Sequence, residues 1–238
     1  MSMLNTIVKK IFKSLNLHVT HYPEHCLRSR IKLLRHHEVN TIIDIGANTG
    51  QFALEIRELG FKGKIISFEP LYDAYRILEK NASTDTNWTS HNFAIGNSIG
   101  QIEINVASNL ASSSILPMLK EHQAAAPSVH YTKTEKIEIK TLNSIWASHI
   151  QQESPNYYLK IDTQGFEKEV LQGAEGVLDN IKGIQLEMSL IPLYQGEWLY
   201  EKIYDYLRSK GFSLYSIEPQ LYNNNTGQLL QMDGIFYK

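Results

Sequence analysis

The chain has 238 residues and nearly balanced charge, with 23 basic and 25 acidic side chains. Its length suits one large α/β domain with a substantial core, and 42% hydrophobic with 20% charged residues is typical of a globular protein. Because no basic excess would attract a phosphate backbone, we expect no nucleic-acid partner. Cys26 is the only cysteine, so the chain can form no internal disulfide and suits a reducing cytoplasm, the predicted location.

The N-terminal residues 1–39 are predicted to form two helices, over residues 2–16 and 24–37, that pack on a main domain of residues 40–238. The first helix is amphipathic: an apolar stripe recurs at helical spacing, and lysines lie mostly off that stripe. The stripe suits packing on the domain or on a second copy in a homodimer. The alternative is peripheral contact with an anionic membrane surface. No apolar run reaches the roughly 20 residues of a membrane-spanning helix.

The main domain begins with alternating strands and helices, the pattern of a parallel sheet covered by helices. The predicted elements are strands at Thr41–Ile45, Lys64–Phe68 and Thr89–Ile95, with helices at about 51–59 and 72–81.

An insertion of about residues 101–140 follows. Two half-exposed strands, Gln101–Val106 and Lys136–Lys140, are predicted beside the main sheet. Between them lies a Ser- and Ala-rich segment, Ala107–Glu135, whose length is typical of an active-site lid. A short helix is predicted within it over residues 115–122.

The alternation then resumes to the end of the chain. The predicted elements are a strand at Tyr157–Asp162, a helix over residues 166–178, a strand at Gly183–Met188, a helix over residues 198–209, and strands at Phe212–Ile217 and Gln228–Tyr237. A short turn through three asparagines, Asn223 to Asn225, joins the last two strands, which must therefore be antiparallel. The predicted fold is a Rossmann-like α/β sheet, mostly parallel, with one antiparallel strand near the C-terminus.

The segment TIIDIGANTG, Thr41 to Gly50, is typical of a cofactor-binding turn between a strand and a helix. The third glycine of a dinucleotide site is absent, and Asp44 would repel a pyrophosphate. S-adenosylmethionine carries an ammonium and a sulfonium group, which an aspartate suits. Within the turn we expect Asp44, Gly46, Asn48 and Gly50 to bind this cofactor, with the two glycines allowing close approach.

A second strand ends in Phe-Glu-Pro, and it completes the predicted cofactor site. The carboxylate of Glu69 is placed to accept both ribose hydroxyls, with Pro70 beside it. This role is common to dinucleotide sites and S-adenosylmethionine sites, so Glu69 alone does not decide between them.

These segments together resemble the FkbM-type family of S-adenosylmethionine-dependent O-methyltransferases. The matching stretches are DIGANTGQF, FEP, NFAIGNSIG, SSS, LKIDTQGFEKEVLQGA, IQLEMS, LYQG and DGIFYK, in family order over about residues 40–238. The resemblance implies a class I methyltransferase fold, adenine contacts near Asn92, Phe93 and Ala94, and a place for Asp162 in the methyl-transfer centre. Thr163, where many relatives have valine, is the one departure.

Acidic residues at the ends of two predicted strands are the candidates for catalysis. Asp162 is the first of them, with Glu167 at the start of the next helix and Glu187 near the end of the neighbouring strand. Such acids serve as a general base and its orienting group, or Asp162 and Glu187 hold a divalent cation that lowers the pKa of a hydroxyl. For Glu167 the alternative is a helix-dipole contact, and for Glu187 a structural salt bridge. Lys160 is expected on the same side of its strand as Asp162.

The acceptor site is predicted less directly. Ser113, with its neighbouring serines, suits hydrogen bonds to a polyhydroxylated acceptor, and His130 or His122 suits a base delivered by a closing lid. Tyr194, Trp198 and Tyr200 offer a stacking surface for a sugar, or else core packing for their helix.

The predicted function is methyl transfer from S-adenosylmethionine to a hydroxyl group. The resemblance implies a small-molecule or glycan acceptor, such as a sugar, glycolipid or polyketide-type natural product. Two alternatives stay open: an NAD-dependent oxidoreductase on the same sheet, and a non-catalytic S-adenosylmethionine-binding partner protein.

Overall fold

The computed structural model describes residues 8, 10, 12–17, 22–151 and 155–238. In this part of the chain, seven strands form the main sheet, in the order β3-β2-β1-β7-β8-β10-β9. The strands of this sheet are β1 (Thr41–Ile45), β2 (Lys64–Phe68), β3 (Trp88–His91), β7 (Tyr157–Ile161), β8 (Ile181–Ser189), β9 (Ser213–Tyr222) and β10 (Leu229–Tyr237). β10 alone runs in the direction opposite to the other six strands, so the predicted Rossmann-like fold is confirmed.

The helices follow the strands along the chain and cover the sheet. They are α1 (His25–His36), α2 (Gln51–Glu58), α3 (Tyr72–Ala82), α4 (Lys120–Ala125), α5 (Leu142–Ile145), α6 (Glu167–Gly173) and α7 (Tyr200–Ser209), with a π-helical turn at Trp146–Ile150 and a 3₁₀ segment at Glu175–Asn180. The sequence analysis did not predict α5 or the π-helical turn. The predicted helix over residues 166–178 is divided between α6 and the 3₁₀ segment.

A smaller sheet holds the insertion. Its strands are β4 (Ala94–Ile95), β5 (Gly100–Ala107) and β6 (Tyr131–Lys140), in the order β4-β6-β5. The prediction of one continuous strand over Thr89–Ile95 is therefore wrong, because the backbone leaves the main sheet after His91 and Ala94 pairs with Ile139. The predicted strand pair is confirmed, and together with β4 it forms a separate sheet. The helix predicted over residues 115–122 is found at Lys120–Ala125.

The functional edge of the main sheet follows from its strand order. From β1 the chain builds the sheet in one direction through β2 and β3, and then in the other through β7 and β8. Ile45, the last residue of β1, lies in register with Phe68 and Ile161, so three strands end at the same level. A crevice opens at such a switch point, where the loops diverge to opposite faces.

The N-terminal helix α1 packs on the core through Leu27, Ile31 and Leu34, all of them buried. The helix predicted over residues 2–16 lies largely outside the described residues; positions 8, 10 and 12–14 are helical. Membrane contact or dimer formation through its apolar stripe stays a prediction. Within the described residues, no helix has the length and apolar character that crossing a membrane requires.

Candidate active site

A cavity of about 560 Å³ opens where β1, β2 and β7 end. Its walls include residues from the turns after these strands, from the insertion, from α1 and from the C-terminal strands. Of the cofactor residues predicted from sequence, Gly46, Asn48, Glu69, Pro70 and Ala94 line it. The others lie behind the wall and support it.

The glycine turn after β1 is shaped by packing within the protein. Gly46 has φ of +74°, and a Cβ there would lie 1.8 Å from the main-chain oxygen of Asp162. Gly50, with φ of +90°, borders the ring of Trp88, 2.8 Å from the site of a Cβ. The predicted reason for these glycines, room for a ligand, therefore needs correction: the strand end and an indole ring already occupy the space.

Glu69 is held rigidly in the cavity wall. One carboxylate oxygen accepts from the backbone N–H of Asn48 and the other from that of Leu71, both over 2.8 Å. Burial raises the pKa of Glu69 to about 7, although these two N–H donors favour the charged form. Each oxygen keeps a further lone pair for a ligand hydroxyl.

The residues predicted to contact adenine lie near Glu69 and the apolar side of the cavity. Asn92 donates through Nδ2 to the carbonyl oxygens of Glu69 and Pro70, both at 2.9 Å. Phe93 is buried against the ring of Phe68, with 5.3 Å between ring centroids. Of the three predicted residues, Ala94 lines the cavity, next to apolar neighbours. These neighbours are Phe68, Leu71, Ile95, Ile104 and Phe166.

Asp44 lies beneath the cavity surface and is fully buried. Its carboxylate lies 3.4 Å from Nζ of Lys160 and accepts from Ser67 Oγ over 3.3 Å. Burial raises the pKa of Asp44, and Lys160 partly offsets this effect. The expectation that Asp44 meets the cations of a ligand directly does not fit this geometry, because Asp44 already neutralises a lysine.

Lys160 connects Asp44 to the predicted catalytic residue. Its Nζ lies 3.4 Å from Asp162 Oδ2, as expected for residues two apart on one strand, and 3.4 Å from the carbonyl oxygen of Gly46. Burial opposes the charge on Lys160, but Asp162 and Asp44 outweigh burial and raise its pKa. The side chain of Asp162 is 41% exposed at the cavity, so it is available to a ligand.

The side chain of Gln164 hydrogen-bonds to both Asp162 and Glu187. It was not predicted from the sequence as a site residue. Its Nε2 donates to Asp162 Oδ1 over 2.9 Å and to Glu187 Oε2 over 2.8 Å. Its Oε1 accepts from the hydroxyl of Tyr194 over 2.8 Å. Since a side-chain amide has two N–H hydrogens and one carbonyl, every group of Gln164 is engaged and its orientation is determined. Its φ of +54° is a signal visible only in the structure.

The other two predicted catalytic acids do not line the cavity. Glu167 is buried and accepts from the backbone N–H and the hydroxyl of Thr163 over 2.9 and 3.0 Å. Burial raises its pKa to about 8. Burial, together with the nearby carboxylates of Asp162 and Glu167, raises the pKa of Glu187 well above its usual value. The hydrogen bonds of these two acids thus connect them to Thr163 and Gln164, next to Asp162, and not to the cavity.

The predicted cation site has no counterpart among the described residues. In this part of the chain, no group of three or more His, Cys, Asp or Glu side chains is arranged to hold a metal ion. The amide of Gln164 occupies the position between Asp162 and Glu187 that the metal prediction assigned to a cation.

The insertion covers one side of the cavity. Leu110, Ala111, Ser113 and Ile115 line it, and Ser113 Oγ accepts from the backbone N–H of Ala107 over 2.9 Å. The neighbouring Ser114 donates through Oγ to the carbonyl oxygen of Gln164 over 2.6 Å.

The remaining predicted acceptor residues have structural contacts. His130 is exposed, its Nδ1 lies 3.3 Å from the carbonyl oxygen of Ser128, and it does not line the cavity. His122 is buried against Tyr194, with 5.3 Å between ring centroids, and burial lowers the pKa of His122.

The aromatic residues predicted to stack on a sugar have packing contacts instead. The hydroxyl of Tyr194 donates to Gln164, and Trp198 and Tyr200 pack against the core.

Solved structures similar to this chain include methyltransferases of low sequence identity. The FkbM methyltransferase from Methylobacillus flagellatus KT is 15% identical, with 83% of this chain and 44% of that chain covered and a TM-score of 0.45. TrmK from M. capricolum, in complex with S-adenosyl-homocysteine, is 10% identical, with 92% and 70% covered and a TM-score of 0.49. The chain thus spans less than half of the Methylobacillus protein. No curated protein matches the sequence significantly.

The family comparison covers the site itself. The model of the methyltransferase FkbM domain matches residues 44–214, well over half of the chain, from Asp44 through Glu69 and Asp162 to β9. The predicted resemblance is confirmed, and this chain belongs to the FkbM methyltransferase family.

Proposed function

We propose that the protein is an S-adenosylmethionine-dependent O-methyltransferase in which Asp162 is the general base. One observation carries the proposal: a single cavity contains the fixed carboxylate of Glu69 and the exposed carboxylate of Asp162. The first suits the paired hydroxyls of a ribose, and the second suits the proton of an acceptor hydroxyl. Membership of a methyltransferase family supports the same chemistry.

The cavity walls fit the proposed cofactor. Glu69 faces the cavity with one lone pair free on each oxygen, and the apolar residues around Ala94 suit an adenine ring. Asn48 has a buried Oδ1 without a hydrogen-bond partner in the described residues, beside Glu69 in the same wall. A buried acceptor of this kind favours a ligand donor such as a hydroxyl or an ammonium.

When bound, S-adenosylmethionine supplies an electrophilic methyl group on a sulfonium sulfur. Asp162 would accept the proton of the acceptor hydroxyl whose oxygen takes the methyl group, and S-adenosylhomocysteine would be the other product. Lys160 and Gln164 hold the Asp162 carboxylate in position from two sides. Such orientation lowers the barrier, because an in-line displacement depends mainly on alignment. The insertion residues around Ser113 form part of the cavity lining.

The acceptor proposed from the family resemblance is a hydroxyl of a sugar, glycan or natural product, and cytoplasmic location remains part of the proposal. Glu167 and Glu187 act in this proposal as supporting acids. The proposed mechanism assigns no role to a divalent cation.

Calorimetry with S-adenosylhomocysteine and with NAD⁺ tests the cofactor, and release of S-adenosylhomocysteine in proportion to acceptor tests turnover. We expect the first ligand to bind more tightly than the second. In an active preparation, Asp162→Asn should lose turnover while retaining cofactor affinity. Tighter binding of NAD⁺ would favour the oxidoreductase alternative, and binding without turnover across a broad hydroxyl panel would favour the non-catalytic one.

A further inference from the structure

The cavity has a second wall, which the cofactor proposal does not use. We call it the polar wall, and it consists of Glu24, Arg30, Glu55, Glu218, Gln220 and Asp233. These residues come from the segment before α1, from α1 and α2, and from β9 and β10. Helices α1 and α2 pack in a different core cluster from Ala94 and from Ile104 of the insertion.

The polar wall is continuous with the proposed catalytic base. Lys160, which lies 3.4 Å from Asp162, pairs in register with Gln185 of β8. Gln185 donates to Asp233 Oδ2 over 2.8 Å, and Asp233 pairs across the strands with Glu218. A molecule lying along this wall would therefore have one end beside Asp162.

Arg30 ties the wall together. It donates to Glu55 over 2.8 Å and to Glu218, and it lies over the ring of Phe52 at 5.6 Å. Its side chain is 8% exposed. Arg30 Nε and Glu218 Oε1, both buried, have no hydrogen-bond partner within the described residues. Buried polar atoms without partners are rare in proteins and favour a ligand that completes their hydrogen bonds.

The charges of the cavity disfavour anions. Among the described residues, the lining has two cations, Arg30 and Lys160, and each is matched by two carboxylates. Three further carboxyl groups of the lining, Glu24, Glu69 and Asp233, form no salt bridge with a described residue. A phosphate or carboxylate entering here would meet paired cations and an excess of acids, and like charges brought together cost binding free energy.

Most of the polar wall lies outside the part of the chain that the family model matches. That match covers residues 44–214, which include Gly46, Glu69 and Asp162. Glu24, Arg30, Glu218 and Gln220 lie before or after it, whereas Asp233 begins the DGIFYK stretch of the family resemblance. The cofactor side thus falls within the matched region, whereas most of the polar wall lies in segments outside it, where a substrate preference of this chain would be encoded.

From these contacts we propose that the polar wall is the acceptor subsite and that it selects uncharged, hydroxyl-rich acceptors over anionic ones. The inference rests on the proposed function, since it needs a cofactor on the Glu69 side and a base at Asp162. Hydroxyl groups donate to carboxylates and accept from Arg30 without introducing charge.

The test uses the full chain and two matched sets of probes. One set is the methyl glycosides of glucose, galactose, mannose and rhamnose, and the other is methyl glucuronide and methyl galacturonide. Release of S-adenosylhomocysteine is measured for each probe, and calorimetry measures S-adenosylhomocysteine affinity separately. We expect methylation within the neutral set and a much lower, still measurable kcat/KM for the uronates.

Two variants at the exposed rim add positive charge without touching the buried ion pairs: Glu24→Lys and Gln220→Lys. Each should raise kcat/KM for uronates relative to neutral glycosides by about fivefold, the scale of a partly exposed charge pair, and leave S-adenosylhomocysteine affinity unchanged. The matched control is Glu121→Lys, at an exposed position on α4 outside the cavity wall, and it should change neither quantity.

Three results would overturn the proposed acceptor subsite. The first is that uronates are methylated as well as neutral glycosides are, and the second is that no glycoside is methylated by a protein that binds S-adenosylhomocysteine. The third is that the rim variants weaken cofactor binding instead of changing acceptor preference. The last would show that the polar wall holds the cofactor. Failure of S-adenosylhomocysteine to bind the native protein would instead remove the proposed function itself.

Discussion

The side-chain amide of Gln164 donates to Asp162, with 2.9 Å between Nε2 and Oδ1. The same nitrogen donates to the half-buried Glu187, and the amide oxygen accepts from Tyr194. A neutral residue therefore separates two acids and orients the more exposed one toward the cavity. In the proposed reaction Gln164 is a positioning residue, because it acts through Asp162.

Substitution at Gln164 should lower turnover more than cofactor binding. Gln164→Leu leaves Asp162 without this donor, and the loss of one hydrogen bond to a charged group is worth about 1.5–3 kcal/mol, or roughly tenfold to 150-fold in kcat. Tyr194→Phe keeps the amide but removes its orienting donor, so its effect should be smaller. Kinetics with S-adenosylhomocysteine calorimetry would separate the two; an equal loss of cofactor affinity would argue for a merely structural role.

Glu69 should control cofactor affinity in a pH-dependent way. Its pKa is raised to about 7 by burial, so its carboxylate becomes protonated as the pH falls below 7 and then accepts hydrogen bonds less well. S-adenosylhomocysteine should bind more weakly at pH 5.5 than at pH 8. Glu69→Gln should bind about 1–3 kcal/mol more weakly at pH 8 and lose this dependence. Calorimetry at both pH values checks this, with the exposed Glu201→Gln as the control.

Glu167 should make the folded protein less stable as the pH rises. Burial raises its folded-state pKa from 4.5 to about 8, so between these values the folded state binds more protons than the unfolded state. The free energy of unfolding therefore falls with increasing pH across this window. Glu167→Gln keeps an acceptor for Thr163 but does not titrate. Its Tm relative to the native protein should rise between pH 5 and pH 8; a constant difference would contradict the prediction.

Gly46 and Gly211 offer a matched comparison of backbone strain and steric overlap. Both have positive φ, +74° and +87°, but a Cβ on Gly46 would lie 1.8 Å from the Asp162 oxygen, whereas nothing lies within 4 Å at Gly211. Gly211→Ala should cost about 1–2 kcal/mol from the left-handed conformation alone. Gly46→Ala should cost several-fold more, measured by denaturant unfolding. Equal costs would show that the turn after β1 relaxes away from Asp162.

Local sequence patterns were sufficient for the central strands and for Glu69. The runs Thr41–Ile45 and Lys64–Phe68 were predicted with the bounds that the structure shows, because β-branched residues buried on both faces and flanked by turn residues specify a strand locally. The position of Glu69 follows from that of its strand, because the strand ends at Phe68, the preceding residue. The last two strands were predicted to be antiparallel for the same kind of reason, a short asparagine turn.

Tertiary structure alone decided which distant groups meet. Ala94 and Ile95 read as the end of a strand, yet they pair with residues more than 40 positions later. Asp44 has a lysine from another strand as its partner, and Arg30 of the N-terminal helix meets Glu218 from the end of the chain. Alternation and turn chemistry act over a few neighbouring residues, whereas the choice of a buried ionic partner depends on how complete elements pack, and so only the folded chain reveals it.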